Sequence, residues 1–348
     1  MTLSDAHRAA RVERERVAQG EDPVIVRKAA KSALAAAQAQ AITFSQASAL
    51  LLDAKASEWR NAKHAAQWAR TLETYAYPVI GKVLVQDVDQ ALVLAILQPI
   101  WSSKTETATR LRGRIEQVLD WAHVRGLRSG ENPARWRGRL DKLLAKPKKI
   151  SKVVHHRTLP VAAIGKFMVE LRKREGLAPR ALELAVLTAA RSGEVRGMVW
   201  SEVDLDAAVW TIPESRMKAG KEHRVPLSTQ AVDLLRALPQ IAGSELVFQG
   251  TRGKALSDMS LTAVLRRMEV DAVPHGFRST FRDWASELTT YPPHLAEMAL
   301  AHAIADKVEA AYRRGDMFDK RRQMMTAWAN YCAKSPAFGQ VVALRQIA

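Results

Sequence analysis

The chain has 348 residues, 47% hydrophobic and 26% charged, which excludes a disordered chain and leaves room for two or three globular domains. Lys and Arg number 53 against 36 Asp and Glu, a net charge of +17 that favours a polyanionic partner, although membranes and acidic proteins also attract basic chains. A single cysteine, Cys332, excludes an intrachain disulfide and a cysteine metal cluster and points to a reducing cytosol. Residues 1–20 alternate acid and base without the apolar core of a signal peptide, and no apolar run is long enough to span a bilayer.

In chain order, residues 4–19 are rich in Ala, Arg and Glu and read as a helix capped by Ser4 or Asp5 and stopped by Gly20-Glu21-Asp22-Pro23. A second Ala-rich helix covers residues 25–41. Neither has the large apolar side chains for a core of its own, so both read as an extension or a connector. A helical domain of four to five helices is expected over residues 43–144, with Leu50, Leu51, Trp59, Trp68, Leu72 and Tyr75 among its apolar positions. Pro78 and Gly81 break its first part. Residues 91–97 form a helix that opens near Asp87 or Asp89 and ends at Pro99. Residues 105–126 form a long basic helix on which Ile115, Val118, Leu119 and Trp121 recur at helical spacing. Its Arg110, Arg112 and Arg114 either follow DNA phosphates or form an ordinary wet face.

Residues 145–158 read as the interdomain linker, with Lys146, Lys148 and Lys149 around Pro147: a connector that crosses a nucleic acid backbone, or a plain exposed one. His155-His156 does not read as a metal pair, because neighbours on an extended segment face opposite ways and no Cys or carboxylate set completes a site.

The second domain covers residues 159–332. A helix over 161–175 precedes one over 179–190 that is apolar nearly all round and belongs at a domain centre. Arg191-Ser192-Gly193-Glu194 follows directly. Charge at the end of a buried helix needs a partner, so Arg191 holds a phosphate, pairs with Glu194 three residues on, or does both. Residues 209–213 and 223–227 read as two strands with a hairpin tip that carries Lys218 and Lys221. Lysines at such a tip either reach a DNA backbone or are merely exposed, and Arg252 in a polar loop has the same two readings. Ser228 or Thr229 caps a helix through Leu238, and Ser257 or Ser260 opens one that ends near Met268. His275 begins a helix over 275–288 with Phe277, Phe281 and Trp284 inward and Arg278 one turn on. His302 lies just past a helix over 294–300, Tyr312 lies within 306–314, and a last helix covers 320–332. Residues 333–348 form an apolar tail that packs on its own domain or on a neighbouring protomer.

These residue types suit phosphodiester transfer. Arg191 and Arg278 can clamp non-bridging oxygens bidentately, which Lys cannot copy. Tyr312 is a candidate nucleophile, His275 a proton acceptor, Lys218 a donor to the leaving oxygen, and His302 a hydrogen-bond donor to the phosphate. No carboxylate triad of the divalent-metal type stands out, so neither a metal nor a cofactor is expected, and no phosphate-binding glycine loop is visible. Taken singly, each has a bland reading: a structural Tyr, a buried His, arginines that only dock DNA.

Their order resembles a known family. Arg191-Ser192-Gly193-Glu194, the Lys218 hairpin, His275-Gly276-Phe277-Arg278, Ala301-His302 and Tyr312 resemble the signature of tyrosine recombinases of the phage integrase family. Trp200, the hairpin over residues 217–227 and Tyr312-Arg313-Arg314 look most like integrases of prophages and genomic islands of the satellite-phage type. The resemblance covers the chain from about Thr43 onward. It implies catalytic roles for Arg191, Lys218, His275, Arg278, His302 and Tyr312, with Glu194 in support. It implies a mainly α multidomain fold: a helical, SAM-like core-binding domain and a mostly helical DNA breaking-rejoining domain with a small antiparallel sheet. It implies double-stranded DNA attachment sites as substrate, a 3′-phosphotyrosine intermediate, four protomers in a synaptic complex that passes through a Holliday junction, and a bacterial cytoplasmic setting. A DNA-bending host factor and an excision factor are possible partners.

Two departures stand out. Ala189-Ala190 replaces the usual Thr-Gly before the first arginine, a change to the turn and not the chemistry. Residues 3–23 resemble only the last helix and exit of the arm-binding domain, within a helical remnant or linker over residues 1–42, so arm-site binding by this chain is not expected. The alternatives are a resolvase or invertase with the same residues, a DNA-binding protein whose catalytic set is unused, and a hydrolytic nuclease.

Overall fold

The computed structural model describes residues 2–20, 22–58, 62–150, 156–251, 253–302 and 315–334. Two units separate, Met1–Val154 and His155–Ala348.

In the first unit, local capping decides most helix ends. Helix α1 (Leu3–Ala18) starts at Thr2 rather than at Ser4 or Asp5. The Thr2 hydroxyl accepts the Asp5 N–H at 3.3 Å, and the Asp5 carboxylate accepts the Thr2 N–H at 3.0 Å. Asp5 is thus the third-position member of a capping box, not its first. Helix α2 is Pro23–Gln40. Helix α3 (Phe44–Lys55) repeats the device with Thr43 and Gln46, at 2.8 and 3.3 Å.

Two prolines expected to end helices do not. Helix α4 (Ala62–Thr71) passes through a π turn over Leu72–Ala76 into α5 (Tyr77–Ile80), and Pro78 falls in the first turn of α5, where a missing N–H costs little. Helix α6 (Gln90–Trp101), capped by Asp89, runs through Pro99. Ala95 and Pro99 share its exposed face, so the carbonyl that loses its donor meets water. Helix α7 (Thr105–Val124) buries Leu111, Ile115, Val118, Leu119 and Ala122 against Phe44, Leu51, Leu72 and Ile80. Helix α8, a single turn over Pro147–Ile150, lies where the linker was expected, and Ile150 packs on this same core.

In the second unit, α9 (Ile164–Arg172) and the almost wholly buried α10 (Leu177–Thr188) form the centre, as an all-round apolar helix requires. α10 ends at Ala189 in the left-handed region, φ 51°. Helix α11 (Ser192–Arg196) leads to a three-stranded antiparallel sheet in the order β1 (Val203–Asp204), β2 (Val209–Ile212), β3 (His223–Pro226). Trp210 pairs with Val225, and Trp210 and Ile212 point inward at the period-two spacing of a strand. Helices α12 (Thr229–Arg236, capped by Ser228), α13 (Ser260–Arg267), α14 (Gly276–Glu287), α15 (Pro293–Ala299) and α16 (Phe318–Ala333) complete the unit. Phe281, Trp284 and Trp328 meet in one core, with ring centroids 5.1 to 5.8 Å apart. The fold is mostly helical with a small antiparallel sheet. Among the described residues, no helix is long and apolar enough to cross a membrane.

Candidate active site

Three chain segments of the second unit converge on Arg278. α14 buries Phe277, Phe281 and Trp284 on one face, which fixes its rotation and sends Arg278 inward. Arg278 is 5% exposed. Its Nη1 donates to the Ala189 carbonyl at 2.5 Å, and its Nη2 donates to the Leu300 carbonyl at 2.6 Å. The Nε–H is buried and finds no partner among the described residues. Burial and the nearby Arg191 charge push the Arg278 guanidinium down to about 10, so it stays charged at neutral pH.

Arg191 stands at the head of α11. Its backbone N–H and its Nη1 both donate to the Glu194 carboxylate, at 2.8 and 2.7 Å, and its Nη2 donates to the Ala301 carbonyl at 3.2 Å. The ion pair and the phosphate role are therefore compatible: Glu194, 7% exposed, holds one edge of the guanidinium and leaves part of it solvent-facing. The Glu194 carbonyl in turn accepts from Arg216. Consecutive carbonyls, Leu300 and Ala301, thus grip the two arginines and place two cations side by side. Burial sharpens their repulsion and the backbone carbonyls offset part of it, an arrangement that an anion relieves further.

His302 completes the group. α15 ends in a left-handed turn at Ala301, φ 48°. The Ala301 N–H donates to the Met298 carbonyl at 3.0 Å and the His302 N–H to the Glu297 carbonyl at 3.0 Å, the paired bonds of a Schellman motif. The motif folds His302 back, so Nδ1 lies 2.6 Å from Glu297 Oε2 and Nε2 lies 3.2 Å from Arg278 Nη2. Glu297 Oε1 also accepts from Arg282 Nε at 2.6 Å. Burial works against the Glu297 charge, but these bonds more than offset it and hold its carboxyl below the ordinary range.

His275 precedes α14, exposed, with its ring 4.9 Å from that of His156 in an edge-to-face contact. Burial of part of the ring, with the Arg278 charge next, holds its imidazole below the usual range. The segment before α14 is pinned closely. The Val273 N–H donates to the Arg157 carbonyl at 3.1 Å, and a Cβ on Gly276 would fall 2.1 Å from that same oxygen. Glycine is required there by this close approach. Thr280 Oγ1 then donates to the Leu159 carbonyl at 2.7 Å.

Lys218 and Lys221 are exposed on the turn between β2 and β3, as the hairpin pattern expects. Tyr312 and Arg252 lie outside the described residues, as do Trp59 and His155. The chain that carries Tyr312 is described on both flanks: His302 before it, and Asp316 after it. The Asp316 carboxylate accepts from Arg224 of β3 and Arg321 of α16, both at 3.0 Å.

Among the arginines of α7, Arg110 is exposed and pairs with Glu106. Arg112 pairs with Glu116 at 2.5 Å and donates to the Ala134 carbonyl. Arg114 is buried, donates to the Gln67 carbonyl and Thr71 Oγ1, and lies over the Trp68 ring. Lys146, Lys148 and Lys149 are exposed.

Sequence reasoning missed Glu297, Arg282 and His223. Glu297 is five residues from His302, a spacing that meets on no regular helix; only the Schellman turn joins them. His223 was read as a strand residue. It is half-buried near Arg321, Glu194 and Arg191, and burial first, then Arg321, pushes its imidazole down to about 4. Among the described residues, no group of three or more His, Cys, Asp or Glu is placed to hold a metal ion.

Residues 44–139 match the phage integrase central domain, and residues 162–317 match the phage integrase family. The integrase of Enterobacteria phage P4 is 32% identical over 361 residues, which cover 95% of this chain and 77% of that relative. Prophage integrase IntZ of Escherichia coli (strain K12) is 31% identical over 335 residues, 95% of this chain and 80% of the relative. A lambda integrase dimer bound to a COC′ core site shares the fold with a TM-score of 0.61 at 16% identity, over 89% of this chain and 86% of that one. Extending as they do over nearly the whole chain, the two relatives leave one assignment: the chain belongs to the phage integrase family, the tyrosine recombinases.

Proposed function

We propose that this chain integrates or excises a mobile DNA element by cutting and rejoining attachment sites through a 3′-phosphotyrosine on Tyr312. The observation that carries the site assignment is the pair Arg191 and Arg278 held on consecutive carbonyls with His302 against Arg278. A scissile phosphate on this group receives donors on both non-bridging oxygens as charge gathers there. The Tyr312 phenol oxygen attacks phosphorus, the bond to the 5′-oxygen breaks, and the chain is left with a phosphotyrosine and a free 5′-hydroxyl. The phenol proton passes to His275, whose depressed basicity keeps its lone pair free at neutral pH. Lys218 supplies the proton to the 5′-oxygen. One ester replaces another, so rejoining runs the same steps backwards.

The helical first unit is assigned to core-type DNA, with a SAM-like domain over residues 43–144. Exposed Arg110, Lys146, Lys148 and Lys149 face phosphates there, while Arg112 and Arg114, spent on Glu116, Gln67 and Thr71, shape the helix that presents Arg110. In the second unit Lys221 and Arg252 take the same role within the catalytic domain of residues 159–332. Residues 335–348, whose apolar patch would pack on its own domain or on a neighbouring protomer, lie outside the described residues. A lambda integrase tetramer bound to a Holliday junction, alike in fold with a TM-score of 0.61, supports four protomers and a junction intermediate. A DNA-bending host factor and an excision factor are the partners proposed to set the direction.

Suicide duplexes nicked beside the cleavage position test this. The wild-type protein forms a denaturation-resistant adduct without metal, and Tyr312→Phe binds the same DNA but forms none. An adduct with Tyr312→Phe would move the nucleophile elsewhere.

A further inference from the structure

We propose that Glu297 is the positioning residue of His302: braced by Arg282, it holds the imidazole protonated on Nδ1 and turns the bare Nε2 toward Arg278. This rests on the active-site reading above and extends it to two side chains outside the expected set.

Donor and acceptor chemistry allows one arrangement. Arginine only donates, so Arg282 Nε claims Glu297 Oε1 at 2.6 Å. Oε2 then faces His302 Nδ1 at 2.6 Å, and between a carboxylate and a ring nitrogen the proton sits on the nitrogen. On the other side, Arg278 Nη2 only donates, so Nε2 at 3.2 Å accepts. Both neighbours demand the same tautomer. The Schellman bond from the His302 N–H to the Glu297 carbonyl at 3.0 Å ties the two residues through the backbone as well. A phosphate that displaces the Arg278 contact leaves Nε2 facing an oxygen. The ring donates there by taking a proton from solvent, and the Glu297 carboxylate balances the imidazolium formed.

The full-length protein with isotope-labelled histidine tests the assignment through ring-nitrogen chemical shifts, His302 being identified by its loss in His302→Asn. In the wild type, His302 is protonated on Nδ1 and bare on Nε2. In Glu297→Gln, Arg282 keeps the amide oxygen on its own side and the amide NH2 meets the ring, so the proton moves to Nε2. In Arg282→Met/Glu297→Gln the amide is free to rotate, and Nδ1 is protonated again. With saturating suicide DNA, Glu297→Gln forms adduct about tenfold more slowly, with DNA affinity and melting temperature unchanged. The proposal is overturned if Nδ1 stays protonated in Glu297→Gln, or if the slower adduct formation follows entirely from weaker binding or lower stability. The shifts are read without DNA, so a wild type that forms no adduct would overturn the Tyr312 reading and leave the tautomer test intact.

Discussion

Arg278 Nη2 lies 3.2 Å from His302 Nε2, and each side chain is held from behind by groups of the protein itself. Arg278 rests on the carbonyls of Ala189 and Leu300, and His302 rests on Glu297. The face proposed to take the phosphate is therefore organised by the protein's own groups. Preorganised donors stabilise developing charge more than mobile ones, because no reorganisation is spent in the transition state.

Replacing Arg278 with Lys keeps the charge and loses the fork. One ammonium cannot serve the Ala189 and Leu300 carbonyls, His302 and a phosphate together. Adduct formation by Arg278→Lys is expected to fall by about 10²–10³, with DNA affinity changed only a few-fold. Single-turnover cleavage and a binding titration on one duplex read both quantities. An equal loss in the two would make Arg278 a docking residue only.

Gly276→Ala is expected to destabilise the second unit by about 1–3 kcal/mol, because the added Cβ falls 2.1 Å from the Arg157 carbonyl oxygen. The obstacle is backbone, so the segment over residues 157–158 must move. Urea unfolding measures the loss. Unchanged stability would mean that this segment is free to shift away at no cost.

Ala189 adopts φ 51°, a conformation that glycine takes without strain. Ala189→Gly is expected to be neutral to stabilising, by up to about 1 kcal/mol, since relief of left-handed strain exceeds the added entropy of the unfolded chain. Its carbonyl still accepts from Arg278, so cleavage is unchanged. A melting temperature lowered by several degrees would contradict this account.

His223 links pH to stability. Its imidazole is pushed down to about 4 in the folded chain, against about 6.5 unfolded. Above about pH 6.5 neither state holds the proton and the site carries no penalty. As pH falls below that value the unfolded chain takes the proton first, so stability is lost down to about pH 4, where the loss levels off at about 3 kcal/mol. Unfolding free energies at about pH 7 and about pH 5 should differ less in His223→Gln than in the wild type. The same difference in both would place the acid sensitivity elsewhere.

Much of this protein is carried by local pattern. Period-3.6 apolar spacing marks α7 and α14, an all-round apolar run marks α10, and the hairpin of β2 and β3 is marked by its apolar runs and basic tip, because short-range sterics and burial act over a few residues. Arg191 with Glu194, one helical turn apart, is legible for the same reason. The order of the chemical residues along the chain leads to the family. Pro78 and Pro99 misled, since a π turn and an exposed carbonyl absorb what a proline usually breaks. Tertiary structure alone decided what surrounds the reactive group. The carbonyls of Ala189, Leu300 and Ala301 carry no side-chain signature, and left-handed turns at two alanines aim them. Glu297 reaches His302 through such a turn, and His223 comes near Arg191 and Glu194 from a strand later in the chain. Pattern records which face a side chain takes on its own element; which elements meet there follows from packing the whole core, and that sum is long-range.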